Sequence, residues 1–192
     1  MNKKQRIGIL GGTFNPPHIG HLVLAQEVLN KLKLDKVIFI PTYLPPHKKI
    51  MYDNAYMRYK MTLLACKGNP KFEVSKFELE KRTVSYSIDT LRELKKRYGE
   101  KAELFFITGS DSLNELESWK DIDEVLKLVK FVVANRPNFP IKKLNRKVIL
   151  IEVPALDISS FMIRNRVHNS QSIRYLVPES VRKFIIRYRL YK

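Results

Sequence analysis

The chain has 192 residues, of which 44% are hydrophobic, so it can bury a full core within the length of one compact domain. Its 36 lysines and arginines against 19 acidic residues give a net charge of +17, but they are scattered and form neither a tail nor an aromatic-interleaved face, which disfavours nucleic-acid binding. A single cysteine, the lack of an apolar run near about 18 residues and an N-terminus unlike a signal peptide predict a reduced, cytoplasmic protein without a membrane segment.

Apolar runs alternate with amphipathic segments along most of the chain. The runs are continuously hydrophobic, which is typical of strands buried on both faces of a parallel sheet. The predicted strands are 7–10, 37–40, 102–107, 131–134 and 148–151. Helical patterns lie between them near 22–32, 55–66, 88–98 and 122–128. This alternation predicts an α/β fold with a doubly wound, mostly parallel sheet.

The C-terminal part has a different pattern. Residues 159–169 and 178–191 are two consecutive helical segments with no strand between them. We therefore expect one domain, 1–192, made of an α/β core over 1–156 and a small helical extension over 157–192. In a doubly wound sheet, ligands bind outside the carboxyl ends of the strands, so the loops that follow the predicted strands should face the site.

The first loop, GGTFNPPHIGH, joins the first predicted strand to the first helix. Gly11, Gly12 and Thr13 allow the backbone to approach a ligand and to point N–H groups at it, and the helix that follows offers its positive end to an anion. Pro16 and Pro17 stiffen the turn. The loop contains neither GxxxxGK[ST] nor GxGxxG, so it predicts a phosphate site that differs from both common fingerprints.

Two histidines lie in the first turn of that helix. His18 and His21 are three residues apart, so their rings project to neighbouring points, and Gly20 keeps that face open. Paired imidazoles can donate hydrogen bonds to phosphate oxygens whose charge grows in a transition state. The alternatives are a metal site, for which no third ligand has suitable spacing, and a simple helix cap. The combination with GGTFNPP favours phosphate chemistry.

Single residues in later loops have both structural and functional interpretations. Lys48 follows a rigid Pro45-Pro46 turn and can reach a phosphate, or it is an ordinary surface lysine. Ser85 is placed to cap the helix that follows it. Trp119, the only tryptophan, is typical of a half-buried core residue, although its indole face also suits a flat cationic ring.

Two further segments, each leading from a strand or loop into a helix, contain residues that suit nucleotide binding. Gly109 permits close approach of a nucleotide, and Asp111 is placed to accept hydrogen bonds from ribose hydroxyls or to cap a helix. Ser159 and Ser160 begin a predicted helix and should leave hydroxyls and N–H groups free for an anion. Arg164, one turn later, can fork onto phosphate oxygens.

These motifs together resemble a known family. GGTFNPPHIGH is similar to the T/HxGH signature of the nucleotidyltransferase superfamily, and residues 5–191 resemble the bacterial nicotinate-nucleotide adenylyltransferases. The resemblance implies a Rossmann-like fold and the reaction of ATP with nicotinate mononucleotide to give deamido-NAD and pyrophosphate, in NAD biosynthesis. Class I aminoacyl-tRNA synthetases share the HxGH pattern, but they are much longer and carry a KMSKS-like segment that is missing here.

The resemblance also implies roles for individual residues. The implied catalytic residues are His18, His21, Lys48 and Arg164. The implied ATP site is Gly11, Gly12, Thr13, Phe14, His18, His21, Gly109, Asp111, Asn135, Arg136, Ser159, Ser160 and Arg164. The implied mononucleotide site is Asn15, His47, Lys48, Ser85, Tyr86 and Trp119. Mg²⁺ is expected to arrive with ATP rather than at a resident metal site, and this chain has Phe161 where the family has threonine.

Several alternatives remain open on the sequence alone. A sister transferase acting on phosphopantetheine, or a cytidylyltransferase using glycerol phosphate, would keep the histidine loop but would not need Ser85-Tyr86 together with Trp119. A nucleic-acid-binding module would bind random DNA or RNA without reacting with ATP. An enzyme that prefers nicotinamide mononucleotide differs by one carboxylate-to-amide change in its substrate. No nucleic-acid or membrane partner is expected, and a homo-oligomer is left open.

Overall fold

The computed structural model describes residues 3–46, 54–110, 116–135, 148–154 and 156–192. Within these ranges, six strands form one sheet in the order β3-β2-β1-β4-β5-β6, and every neighbouring pair is parallel. The strands are β1 Gln5–Gly12, β2 Lys36–Pro41, β3 Phe72–Val74, β4 Ala102–Gly109, β5 Lys130–Ala134 and β6 Ile149–Ile151. This is the strand order of a doubly wound Rossmann-like sheet, which confirms the predicted fold class.

The helices follow the predicted pattern closely. They are α1 Ile19–Lys31, α2 Ala55–Cys66, α3 Phe77–Lys81, α4 Ser87–Tyr98, α5 Ile122–Leu128, α6 Ser160–His168 and α7 Glu179–Arg187. A 3-10 turn over Gly99–Lys101 joins α4 to β4. The final helical segment is shorter than predicted, because α7 ends at Arg187 while the prediction extended it to Tyr191.

Two short elements were not predicted. Strand β3 has only three residues, none of them fully buried, so it lacks the continuous apolar run that identifies the other strands. Helix α3 has five residues, which is too short to show a helical period. Both elements are held by their neighbours: β3 pairs with β2, and Glu78 of α3 accepts a hydrogen bond from Thr90 of α4 at 2.7 Å.

Helices cover both faces of the sheet. One core cluster joins Ile7 and Ile9 of β1 to α4 and α5, and the other joins Leu10 and Phe39 to α1. Cys66 is buried in the second cluster. Burial raises the pKa of its thiol to about 12, so Cys66 is an inert packing residue, as its apolar surroundings in the sequence predict.

A third cluster attaches the helical extension to the rest of the chain. It joins Met61 and Ala65 of α2 to Ile163 of α6 and Ile185 of α7. The extension therefore packs beside the carboxyl end of the sheet, where the loops after β1 and β2 emerge. Along the described stretches of chain, no helix is long and apolar enough to span a bilayer.

The order of the strands determines where a ligand can bind. Strand β1 pairs with β2 on one side and with β4 on the other. The chain leaves β1 toward β2 and leaves β4 toward β5, so the connections diverge at the carboxyl ends of β1 and β4 and leave a crevice there. The first loop lies at this crevice, as the predicted topology requires.

Candidate functional site

The first loop makes a tight turn from the end of β1 to the start of α1. Phe14 has a φ of 47°, in the left-handed region that a bulky residue adopts only at a cost. Its side chain is buried. A Cβ atom at Gly12 would lie only 3.1 Å from the Phe14 ring, so the turn needs glycine there to accommodate the aromatic side chain.

The two predicted histidines lie side by side at the N-terminus of α1. His18 is the N-cap residue, with extended backbone, and His21 is the third residue of the helix. Their ring centroids are 3.7 Å apart, and the ring of Phe14 meets His21 edge-on at 5.0 Å. The prediction that the two imidazoles project to neighbouring points is confirmed.

The backbone fixes how His21 is oriented. Its Nδ1 accepts a hydrogen bond from the backbone N–H of His18 at 3.2 Å. Because that nitrogen is an acceptor, a neutral His21 carries its hydrogen on Nε2, which is then a donor held beside the positive end of α1. A Cβ atom at Gly20 would lie 3.1 Å from Nδ1 of His18, so this glycine leaves room for the His18 ring.

Arg58, from α2, joins the first loop to the loop after β2. Its side chain is 1% exposed. Nη1 donates to the carbonyls of Thr13 at 2.9 Å and Thr42 at 2.5 Å, and Nη2 donates to the carbonyl of Tyr43 at 2.8 Å. Sequence analysis missed this residue. The available signal was its place on the apolar stripe of α2, one turn before Met61, where a charged side chain needs a reason to be buried.

The serines at the start of α6 already have partners within the protein. The Ser159 hydroxyl caps the helix by accepting from the backbone N–H of Met162 at 3.1 Å. The Ser160 hydroxyl donates to the Pro16 carbonyl at 2.8 Å. Ser159 accepts in its cap and keeps its own proton, whereas the expectation of a free hydroxyl is wrong for Ser160, whose proton is donated to Pro16. The same contact brings the N-terminus of α6 against the first loop, close to that of α1.

Arg164 also contacts the first loop. Its Nη1 donates to the Asn15 carbonyl at 2.8 Å, and its guanidinium lies 5.8 Å from the centroid of the Phe161 ring. Phe161 is 64% exposed, so the phenyl ring, at the position where the resemblance implies threonine, lies on the surface beside Arg164 and does not fill the core.

A cavity of about 230 Å³ opens beside the first loop. It lies at the carboxyl ends of β1, β2 and β4 and is bordered by the loop after β2, by Glu78 of α3 and by the segment that joins α3 to α4. Its lining includes Gly11, Gly12, Thr13, Thr42, Glu78, Ser85, Tyr86, Trp119 and Lys120. The structure thus brings together three residues that the sequence predicted for one substrate, namely Ser85, Tyr86 and Trp119.

Ser85 does not cap α4. The helix begins at Ser87, and its N-cap residue is Tyr86, so the predicted capping role of Ser85 is wrong. The backbone N–H of Ser85 donates to the Leu44 carbonyl at 2.9 Å, and its hydroxyl accepts from the backbone N–H of Tyr43 at 3.1 Å. These pairings hold Ser85 against the loop after β2, one residue too early to cap the helix.

Glu78 is a buried acid in the cavity wall. It is 8% exposed and accepts a hydrogen bond from the Thr90 hydroxyl at 2.7 Å. Burial raises the pKa of Glu78, while hydrogen bonds from Ser85, Thr90 and the backbone of Tyr43 act in the opposite direction. No local pattern in the sequence indicates this burial, because α3 is too short to show a buried face.

The raised pKa of Glu78 makes stability depend on pH. The folded state holds this proton more tightly than the unfolded state, so the stabilisation is fully present below the ordinary value of 4.5 and is lost as pH rises through the raised pKa. We expect Glu78→Gln to raise the Tm relative to the parent increasingly as pH rises from 4.5 toward neutrality. Thermal unfolding of both proteins across that range tests this, and a Tm difference independent of pH would contradict it.

Trp119 has both a structural and an accessible face. Its ring packs edge-on against Phe106 at 5.6 Å and Phe131 at 5.9 Å, and it also lines the cavity. The next residue, Lys120, places its ammonium 4.6 Å from the centroid of the Tyr86 ring. Sequence analysis did not select Lys120, because one more lysine in a basic chain carries no signal.

The remaining predicted residues lie at the same edge of the sheet or outside the described ranges. Gly109 ends β4 and Asn135 follows β5, so both lie at carboxyl ends of adjacent strands. The backbone N–H of Asn135 donates to the Ile151 carbonyl at 3.0 Å. The predicted residues outside the described part of the chain are His47, Lys48, Asp111 and Arg136.

Comparison with known proteins agrees with this geometry. Residues 9–166 match the cytidylyltransferase-like family. A probable nicotinate-nucleotide adenylyltransferase of Thermoanaerobacter sp. (strain X514) is 48% identical, over 100% of this chain and 97% of the relative. The corresponding protein of Moorella thermoacetica is 45% identical, over 100% of this chain and 94% of the relative.

A solved structure has the same fold at lower identity. The nicotinic acid mononucleotide adenylyltransferase of Plasmodium falciparum, in complex with NaAD, superposes with a TM-score of 0.82 and 21% identity over 97% of each chain. At that identity the likeness concerns the fold, whereas the bacterial relatives share nearly half of their residues with this chain over its whole length. The chain therefore belongs to the cytidylyltransferase-like family and, within it, to the nicotinate-nucleotide adenylyltransferases.

Proposed function

We propose that the chain transfers the adenylyl group of ATP to nicotinate mononucleotide, forming nicotinate adenine dinucleotide and pyrophosphate. The observation that carries this proposal is the pair of adjacent imidazoles, with ring centroids 3.7 Å apart at the N-terminus of α1, beside a cavity lined by Tyr86 and Trp119. The first feature suits a triphosphate and the second suits a flat ring, and a dinucleotide-forming enzyme needs both.

The proposed reaction is an in-line displacement at the α-phosphorus of ATP. A 5′-phosphate oxygen of the mononucleotide forms a bond to this phosphorus, while the bond to the bridging oxygen breaks and pyrophosphate leaves with that electron pair. A phosphate monoester is already anionic, so the attack needs no general base. His18 and His21 donate hydrogen bonds to the α-phosphate oxygens, whose charge grows in the transition state.

Other basic residues have supporting roles in the proposal. Arg164 lies against the first loop through the Asn15 carbonyl, and its remaining N–H groups suit the β- and γ-phosphates that leave as pyrophosphate. Lys48, predicted from the sequence, is proposed to bridge the phosphates of the two substrates. The N-terminus of α6, next to Pro16, adds a second helix dipole that favours the same anion.

The mononucleotide is proposed to bind in the cavity of about 230 Å³. A nicotinate ring joined to ribose is a pyridinium, and the face of an indole attracts such a flat cation. Trp119 packs edge-on against Phe106 and Phe131, and these contacts hold its ring at the cavity wall. Gly11, Gly12 and Thr13, on the same cavity wall, lead from the ring toward the phosphates.

Mg²⁺ is proposed to enter as part of the Mg-ATP substrate. Across the described ranges, no three histidine, cysteine, aspartate or glutamate side chains gather into a group able to hold a metal ion, and the phosphate oxygens of ATP are themselves good Mg²⁺ ligands. The metal would neutralise charge on the triphosphate, while the residues of this chain orient it. A cytoplasmic location, where both substrates occur, stays a prediction.

Product analysis tests the proposed function directly. Purified protein is incubated in four separate reactions. Three contain Mg-ATP with nicotinate mononucleotide, nicotinamide mononucleotide or phosphopantetheine, and the fourth contains CTP with glycerol phosphate. We expect chromatography to show one dinucleotide and equimolar pyrophosphate, formed fastest from nicotinate mononucleotide. Formation of dephospho-coenzyme A or CDP-glycerol, or no product in any reaction, would overturn the proposal.

Lys120 is expected to favour the acid substrate over the amide. Nicotinate carries a negative charge that nicotinamide lacks, and the ammonium of Lys120 lies at the cavity, over Tyr86. Because Lys120 is exposed, its effect is screened, so Lys120→Met should lower kcat/KM for nicotinate mononucleotide by about fivefold, equivalent to about 1 kcal/mol. The value for nicotinamide mononucleotide should stay unchanged.

Lys127→Met provides the matched control, because it removes the same charge from an exposed position on α5 that does not line the cavity. Steady-state kinetics with each mononucleotide, at fixed ATP and fixed ionic strength, give the ratio of the two kcat/KM values for each variant. An acid-to-amide ratio that Lys120→Met leaves at the parent value would refute this role.

A further inference from the structure

The helical extension holds two successive residues of the first loop through three side chains. Ser160 donates to the Pro16 carbonyl at 2.8 Å, and Arg164 donates to the Asn15 carbonyl at 2.8 Å. The hydroxyl of Tyr191 donates to Oδ1 of the Asn15 side chain at 2.6 Å. Ser160 and Arg164 belong to the ATP site that the family resemblance implies. Tyr191, in contrast, is buried and has no role in the proposed chemistry.

The surroundings of Tyr191 keep its hydroxyl protonated and hold it in one position. The side chain is 3% exposed and packs in the third core cluster with Met61, Ile163 and Ile185. Burial raises the pKa of Tyr191 well above its ordinary value, even though Arg164 and other nearby positive charge act to lower it. The phenol therefore stays protonated and is a permanent donor to Asn15.

This hydrogen bond determines the orientation of the Asn15 amide. Because Oδ1 accepts from the Tyr191 hydroxyl, the Nδ2 of the amide, with its two N–H donors, lies on the other side. Asn15 is itself 5% exposed. If its side-chain amide could adopt either orientation, a polar atom would lack a fixed hydrogen-bond partner in a nearly dry site.

The position of Asn15 affects the histidines through a short, stiff connection. Pro16 and Pro17 separate Asn15 from His18, and each proline fixes its own φ angle. On the other side, Arg58 holds the Thr13 carbonyl at 2.9 Å. The turn from Thr13 to Asn15 is therefore held at both ends. A shift of Asn15 must be passed on through the two prolines to His18, the N-cap of α1.

We infer that Tyr191 is a positioning residue for the reaction, since it holds Asn15 and, through the two prolines, places His18 for phosphate contact. The inference rests on the proposed function, because it assigns catalytic work to His18. It goes beyond that function by making the last turn of the helical extension, which does not line the cavity, a part of the active site.

Tyr191→Phe removes one oxygen atom and leaves the ring in the core. We expect kcat to fall about tenfold, since a misplaced transition-state donor loses about 1.4 kcal/mol of stabilisation. The KM for ATP should change by less than about twofold. Tyr188→Phe is the control: it removes a hydroxyl from the turn that follows α7, but Tyr188 is 46% exposed and packs against Phe184. It should keep the parental kcat.

A double-mutant cycle separates positioning from a merely structural role. Asn15→Ala removes the acceptor, so adding Tyr191→Phe to it should lower kcat no further. If Tyr191 only stabilised the fold, Tyr191→Phe would lower the Tm while kcat of the folded protein at 25 °C stayed at the parental value, and the two substitutions would act additively on kcat. Either of these results would overturn the inference.

Amide hydrogen exchange gives a second measurement that does not depend on activity. In Tyr191→Phe, the backbone amides of residues 11–21 should exchange at least about fivefold faster than in the parent, while those of β4 stay unchanged. Unchanged exchange over residues 11–21 would overturn the inference even if activity fell. A parent protein that forms no dinucleotide would refute the proposed function, and the exchange comparison would still decide whether Tyr191 holds the loop.

Discussion

His18→Ala is expected to lower kcat by roughly two to four orders of magnitude, the range found when a transition-state hydrogen-bond donor is removed. His18 is 2% exposed, and its ring centroid lies 3.7 Å from that of His21. In the alanine variant, no solvent-exposed side chain of the described residues can easily reach this position to replace the lost donor. Steady-state kinetics at saturating ATP and nicotinate mononucleotide measure the effect. A kcat within about threefold of the parent would show that His18 does not carry the assigned role.

His168→Ala is the matched control, because His168 is an exposed histidine at the end of α6. It should keep the parental kcat. Since His18 is also the N-cap of α1, His18→Asn is a useful second variant: asparagine is a good N-cap and retains stability but cannot replace the imidazole at the phosphate. A folded His18→Asn protein with parental turnover would be as damaging to the proposal as an active alanine variant.

Arg58→Met is expected to have the largest effect on stability. The guanidinium is 1% exposed and donates to the carbonyls of Thr13, Thr42 and Tyr43. Methionine fills much of the same space but leaves three partly buried acceptors without this donor, which should cost about 3 kcal/mol. For a chain of this length we expect the Tm to fall by about 10 °C. Calorimetry or circular dichroism measures this change.

Arg92→Met provides the comparison for the loss of a positive charge. Arg92 pairs with Glu124 and Asp121 on the surface, and exposed ion pairs contribute less than about 1 kcal/mol, so its Tm should stay within about 3 °C of the parent. Arg58→Met should also raise the KM of both substrates, because the loops it joins border both halves of the site. A Tm for Arg58→Met equal to that of Arg92→Met would contradict the role given to Arg58.

Sequence patterns predicted those parts of the fold and site that depend on local spacing. Continuous apolar runs identified five of the six strands in the described ranges, and the helical period gave the bounds of α2 and α5. The three-residue spacing of His18 and His21 predicted that their rings meet, although His18 is the extended N-cap of α1 and not a residue of its first turn.

The parts that could not be predicted depend on contacts between distant residues. Tyr191 and Asn15 are 176 residues apart in the chain, and Arg58 reaches back 45 residues to Thr13. The sequence around Arg58 indicates at most that the side chain is buried, and neither segment indicates which distant residue is contacted. Ser85 is a further example. Its local sequence suits a helix cap, but hydrogen bonds with the loop after β2 determine where it lies.

Two arginines that hold the first loop are also fixed positive charges beneath it. A neutral donor would hold the Thr13 and Asn15 carbonyls equally well, but Arg58 and Arg164 also create an attractive potential for any polyanion entering the crevice. Dissolved counter-ions reach exposed lysines freely and damp their attraction, whereas they cannot approach the guanidinium of Arg58, which is 1% exposed. The attraction of this site for nucleotides is therefore less sensitive to ionic strength than the charge of +17 alone would suggest.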